Sequence, residues 1–407
     1  MWRTKQGVPH AWAAVVGIAL TFLLAGGATA KPSVTDVRLG LHPDKVRFVL
    51  EISQAPAYRI FTLPDPYRVV IDLPEIDWQL AQKPAAHDVG FIEALRFGLF
   101  APGTSRVVLD AERPVKITNA FVLEPREGYP YRLVIDMVGV TRASFLEARN
   151  RGPITSDKPL PKPQPVSPEP ADGREDSRLT IVIDPGHGGV DPGAIGTSGL
   201  QEKDLVYTYA KVLQRELGAD RRYDVVLTRD KDIFLRLRDR VAAAQHADGE
   251  LFISLHANTN PSNRVRGASV YTLSEQASDA EAAALAAKEN KADLIAGVDL
   301  NRQTEVVSQI LIDLAQRETM NNSKQFANVL VDELGETVKL LNNTHRYAGF
   351  AVLKSPNVPS VLLEIGYMSH PAEENALKSA EHQRKVADAI HRAVDRYFAW
   401  QEARSLQ

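Results

Sequence analysis

Two histidines and two glutamates stand at positions from which this chain could carry out metal-assisted hydrolysis. His187 follows the apolar run Ile181-Val182-Ile183 across a Pro185-Gly186 turn. His256 ends the run Leu251-Phe252-Ile253-Ser254-Leu255, and Glu364 ends Val361-Leu362-Leu363. Glu202 opens an amphipathic stretch that carries Leu205, Tyr209 and Leu213. Two imidazoles and one carboxylate with a fourth position left open form the donor set of a catalytic zinc site. His187, Glu202 and His256 are therefore expected to bind Zn²⁺. Glu364 is then the spare carboxylate, free to take a proton from water and hand it to a leaving amine. Small residues beside the histidines (Gly186 and Gly188, Ser254 and Ala257) leave room for such a site.

Other chemistries fit less well. The chain has no cysteine, which excludes disulfides, thiolate catalysis and cysteine–zinc sites. Gly186-His187-Gly188-Gly189 could be read as a phosphate cradle, but the lysine and hydroxyl residue of a P-loop do not follow it. No Gly-x-Ser-x-Gly elbow is present, which disfavours a serine hydrolase. His246, His345 and His370 receive no role. The net charge of −3 over 407 residues gives no global basic surface that would suggest nucleic acid.

The elements that must position these residues follow from pattern. From 179 to 405 apolar runs alternate with helical periodicity, which predicts an α/β domain with a mostly parallel sheet and flanking helices. The four residues then gather at the C-terminal edge of the sheet, where such folds bind ligands. The segment 274–320, rich in alanine and charged residues, breaks the rhythm and reads as a helical insertion close to the site. A solvated helical hairpin with no part in the chemistry is the competing reading of that segment.

Upstream the organisation differs. Residues 1–30 show Arg3 and Lys5, an apolar run and a small-residue end at Ala28-Thr29-Ala30. This pattern predicts a secretory signal peptide cut after Ala30, with a retained signal anchor as the alternative. Cleavage would leave no stable membrane span. Residues 31–145 alternate apolar and polar residues in short runs and predict an all-β domain of two sheets. Pro66-Tyr67-Arg68-Val69-Val70-Ile71-Asp72-Leu73 recurs as Pro130-Tyr131-Arg132-Leu133-Val134-Ile135-Asp136-Met137. A weaker echo links Arg47-Phe48-Val49-Leu50-Glu51 to Arg106-Val107-Val108-Leu109-Asp110, so the sheets should be related by an internal repeat. Seven prolines between Pro153 and Pro170 make 146–178 an extended linker.

The motifs Asp184–Ala194, Glu202-Lys203, Ser254–Asn258 and Leu363–Ser369 together resemble the zinc-dependent N-acetylmuramoyl-L-alanine amidases of bacterial cell division. The repeated β module looks like the AMIN domain found ahead of them. The resemblance implies a periplasmic enzyme that cuts the amide between N-acetylmuramic acid and L-alanine in peptidoglycan during septal wall splitting. By carry-over, His187, Glu202 and His256 hold Zn²⁺ and Glu364 is the general base. It further implies that the insertion is autoinhibitory, displaced by an activator of the EnvC type with a degenerate LytM domain. Glu289 is the candidate zinc-capping residue, with Glu281 as the alternative. A wall-binding scaffold without activity and a zinc peptidase acting within the stem peptide are the competing functions.

Overall fold

The computed structural model describes residues 31–81, 89–160, 178–299 and 312–405. The predicted signal peptide, 1–30, lies outside them, as do 161–177 of the predicted linker and 300–311 of the insertion.

The N-terminal module is built from β1 (Ser33–Leu41), β2 (Val46–Ile52), β3 (Arg59–Leu63), β4 (Tyr67–Pro74), β5 (Asp77–Trp78), β6 (Ile92–Ala101), β7 (Thr104–Ala111), β8 (Val115–Leu123) and β9 (Tyr131–Gly139). Helix α1 (Arg142–Asn150) and β10 (Ile154–Thr155) follow, and β10 pairs with β3. Ordered structure thus extends past residue 145 into the stretch expected to be linker. Thr141 caps α1 by accepting the Ser144 amide, and that helix buries Phe145.

Two five-stranded sheets result, β5-β1-β2-β9-β8 and β10-β3-β4-β7-β6. The echoed strands β4 and β9 occupy equivalent central positions, and their echoed partners β7 and β2 lie beside them. The repeat carries an ion pair with it. Arg47 sits opposite Asp136 across β2 and β9, and Arg106 opposite Asp72 across β7 and β4. Inward-facing Phe48, Leu50, Ile71, Val107 and Ile135 fill the core between the sheets.

The second domain contains β11 (Leu179–Pro185), α2 (Glu202–Gly218), β12 (Tyr223–Leu227), α3 (Leu237–His246), β13 (Leu251–Asn258), β14 (Ala268–Leu273), α4 (Ala280–Glu289), α5 (Ala292–Ile295), α6 (Ile312–Gly335), β15 (Leu340–Ala348), β16 (Ser360–Tyr367), α7 (Pro371–Leu377) and α8 (Ala380–Ser405). The sheet order is β12-β11-β13-β16-β14-β15. All neighbours are parallel except β14 and β16, so the sheet is mixed. Both faces are covered, which is why its strands read as continuous apolar runs. Ile181, Ile183, Ile253 and Leu363 point to a core shared with α2, α6 and α8. Val182, Phe252 and Leu362 point the other way, where Ala282, Leu285 and Ala286 of α4 pack. Helix α4 of the insertion therefore rests on the sheet and is not a solvated element.

Candidate active site

Strand register brings the site together. His256 and Glu364 are direct neighbours across β13 and β16, and Pro185 at the end of β11 pairs with Leu255. His187 lies two residues beyond β11 in a tight turn, with a left-handed φ of 57° that is uncommon outside glycine. Two glycines make the convergence possible. A Cβ on Gly186 would lie 2.5 Å from the His256 ring, and one on Gly193 would lie 2.6 Å from both Glu202 Oε2 and the His187 ring.

The turn is clamped from below. Arg240 donates to the carbonyls of Pro185 at 2.9 Å and His187 at 2.6 Å, and Arg229 donates to those of Pro185 and Gly186 at 3.0 Å. Arg240 itself is fixed by Asp184 at 2.7 Å, which also accepts from Thr228 and Ser254. Burial opposes a charge on Asp184, but Arg240 and the two hydroxyls outweigh it and hold the carboxyl below its ordinary range.

His187 Nδ1 faces Asp191 Oδ2 at 2.9 Å, which turns Nε2 toward the centre. Glu202, the first residue of α2, accepts the backbone amides of Ala194 at 2.8 Å and Ala257 at 2.9 Å. Its oxygens lie 3.1 Å from His187 Nε2 and 3.1 Å from His256 Nδ1. Glu289 Oε2 completes the ring at 3.4 Å from His187 Nε2 and 3.5 Å from His256 Nδ1. One donor atom from each of His187, His256 and Glu289 lies within 4.8 Å of the other two.

Glu289 arrives there by helical phase. Ala282, Leu285, Ala286 and Glu289 form one buried stripe of α4, spaced three, four and seven residues apart. Glu281 falls off that stripe and instead accepts from Arg346 at 2.7 Å. Lys288, beside Glu289, reaches its Oε1 at 3.1 Å.

Several buried atoms here make no hydrogen bond of good geometry: His187 Nε2, Glu364 Oε2 and, beside its ion pair with Lys288, Glu289 Oε1. Buried polar groups are rarely left so, and an ion is one accepted reason. A small pocket of about 10 Å³ borders His187, His256 and Glu289, and Asp184, Arg240, Leu237, Phe350 and Val352 form much of the rest of its wall. Electrostatics agree. Burial disfavours charge on His187, yet Glu202, Asp191 and Glu289 push its pKa well above the ordinary value. Burial, then Glu202 and Glu289, push Glu364 well above the usual carboxylate range. Carboxylates in surplus around two imidazoles fit a divalent cation in both charge and donor type.

All five residues singled out from sequence thus converge. Reasoning from sequence missed Asp184, Asp191, Arg229, Arg240 and Lys288. Only Asp191 carried a usable signal, four residues after His187 in a glycine-rich turn. The unassigned histidines lie elsewhere: His370 caps α7, His345 contacts Thr272 and Asn328, and His246 is exposed on α3.

Comparison with known proteins agrees with this geometry. Residues 181–396 match the N-acetylmuramoyl-L-alanine amidase family and residues 36–137 match the AMIN domain. The chain is 34% identical over 382 residues to the N-acetylmuramoyl-L-alanine amidase AmiC of Escherichia coli, covering 91% of this chain and 90% of that protein. It is 35% identical over 383 residues to AmiC of Neisseria meningitidis, covering 90% of each.

Proposed function

Because the chain belongs to the N-acetylmuramoyl-L-alanine amidase family, with an AMIN domain ahead of the amidase domain, we propose that it is a zinc-dependent, autoinhibited amidase. Its substrate is peptidoglycan, and the bond cut joins N-acetylmuramic acid to L-alanine of the stem peptide. The carrying observation is the meeting of His187, Glu202, His256 and Glu289 around unaligned buried donor atoms.

His187, Glu202 and His256 are the residues that would hold Zn²⁺, and Glu364 is the general base. When bound, the metal polarises the scissile carbonyl and makes an attacking water more acidic. Glu364 takes the proton of that water as its oxygen adds to the carbonyl carbon. It then gives the proton to the nitrogen of L-alanine as the C–N bond breaks, leaving a lactyl carboxyl group, whose proton passes to the released amine to give a carboxylate and an ammonium. The backbone amides of Ala194 and Ala257 keep Glu202 in place throughout. Asp191 orients His187.

Glu289 is the inhibitory ligand in this reading. A fourth protein donor takes the position that water or substrate needs and turns an open site into a closed one. An activator of the EnvC type, with a degenerate LytM domain, would draw α4 away. Secretion through the signal peptide at 1–30 would deliver the enzyme to the periplasm, where it splits septal wall during cell separation. Among the described residues no helix is long and apolar enough to cross a membrane.

Digestion of purified sacculi by the zinc-loaded protein, followed by mass spectrometry, tests the reaction. Intact stem peptides with a free L-alanine amine are expected. Peptides cut internally would move the assignment to a zinc peptidase, and no release by any activated form would leave the scaffold.

A further inference from the structure

Three arginines of the β module hold the segment that follows Glu289. Arg68 donates to the carbonyl of Leu294, and Arg96 to that of Ile295 at 3.1 Å. Arg106 donates to Ala296 at 3.1 Å and Gly297 at 3.0 Å. These carbonyls lie at and just beyond the C-terminal end of α5, where a helix leaves acceptors unsatisfied. Arg106 is itself fixed by Asp72 at 2.6 Å and stacked 3.4 Å from the Phe100 ring centroid. Its counterpart in the repeat, Arg47, pairs with Asp136. One arginine of the duplicated pair has thus been turned onto the catalytic domain.

Beside this contact lies a cleft of about 730 Å³ between β3, β7, β8, α1 and residues 297–299. Seven arginine and lysine side chains line it against two carboxylates, Asp72 and Asp299. Asp72 is committed to Arg106. Asp299 belongs to the insertion and meets Arg149 at 3.3 Å. Arg151 pairs with Glu147, and Arg236 and Arg238 flank Asp239. Arg59 lies over the Phe61 ring, and Lys116 projects from β8. The cleft therefore already accommodates one carboxylate from its own chain, within a volume that takes a ligand of several residues. Phe61, Phe100, Ile117 and Val298 add apolar wall to the basic lining, which suits a peptide better than a bare anion.

We propose that this cleft binds a short peptide bearing several carboxylates, which displaces Asp299 from Arg149 and thereby loosens the segment that carries Glu289. The ligand and Asp299 of the insertion compete for Arg149, so binding in the cleft and release of α4 are linked and reciprocal. The release half rests on the reading of α4 as an inhibitory cover; the binding half does not.

The test uses the full mature chain and needs no substrate. Binding of N-acetylated triglutamate is measured by calorimetry at fixed ionic strength, with inorganic phosphate as control, alongside hydrogen exchange of residues 280–297. Saturable binding is expected, weakened about tenfold or more in the Arg59→Glu/Lys116→Glu double variant and tightened in Asp299→Asn. Exchange across 280–297 should rise when the tripeptide is bound. No saturable binding, affinity unchanged by charge reversal, or phosphate binding as tightly as the tripeptide would overturn the site. Binding with unchanged exchange would overturn the link to the insertion. Because neither readout involves hydrolysis, failure of the amidase reading would not be mistaken for failure here.

Discussion

Nδ1 of His187 stands 2.9 Å from Oδ2 of Asp191, and both side chains are buried. Asp191 also accepts the Gly193 amide at 3.1 Å, so the carboxylate is fixed from two sides. This contact selects the imidazole face that looks into the site. Asp191→Asn keeps the shape and removes the charge. Zinc affinity or turnover should fall about 10–100-fold, read by chelator competition and by sacculus digestion with excess zinc. Unchanged metal affinity and rate would remove Asp191 from the site's support.

Gly186 packs against the His256 ring, with no room for a Cβ. Gly186→Ala should displace that ring and lower activity about 100-fold. The thermal midpoint should move much less, because the change falls at a turn beyond the core strands. A variant that loses stability and activity together would place the effect on folding instead.

Arg240 has the buried carboxylate of Asp184 on one side and two turn carbonyls on the other. Arg240→Met leaves Asp184 charged and without its cation. Urea unfolding should show a loss of about 3–5 kcal/mol. A loss below 1 kcal/mol would mean that the hydroxyls of Thr228 and Ser254 suffice.

Acid should act through the same carboxyl. Its pKa in the fold lies below the unfolded value of about 3.9. Its stabilising contribution is thus fully present above that value and is lost as pH falls through the folded pKa. The stability gap between the wild type and Asp184→Asn should stay level from pH 7 to about 5 and narrow below about 4. A gap that widens on acidification would contradict the assignment.

What the sequence disclosed, and what it hid, follows from the range over which each signal acts. His187, His256 and Glu364 were legible because each ends an apolar strand, and a strand end at a sheet edge is a local pattern. Glu202 was legible as the first residue of an amphipathic helix. The choice of Glu289 over Glu281 needed the phase of α4 against the sheet, which Ala282, Leu285 and Ala286 set only once packed. Asp184 and Arg240 are 56 residues apart, and neither charge announces a partner at that distance. The reversed strand β14 was hidden because buried strands read as apolar runs in either direction. The internal echo foretold two related sheets; that one of the repeated arginines would grip the insertion was not written in either copy.

In the proposed inhibition, Glu289 closes the metal position. The direct measurement is the rate of sacculus digestion by the zinc-loaded wild type and by Glu289→Ala, with Glu289→Ala/Glu364→Ala as the inactive reference. Peptides that begin at L-alanine should appear about tenfold faster or more from Glu289→Ala, and the double variant should release none. Equal rates for wild type and Glu289→Ala, at equal zinc content, would contradict the inhibitory role and leave Glu289 a structural residue.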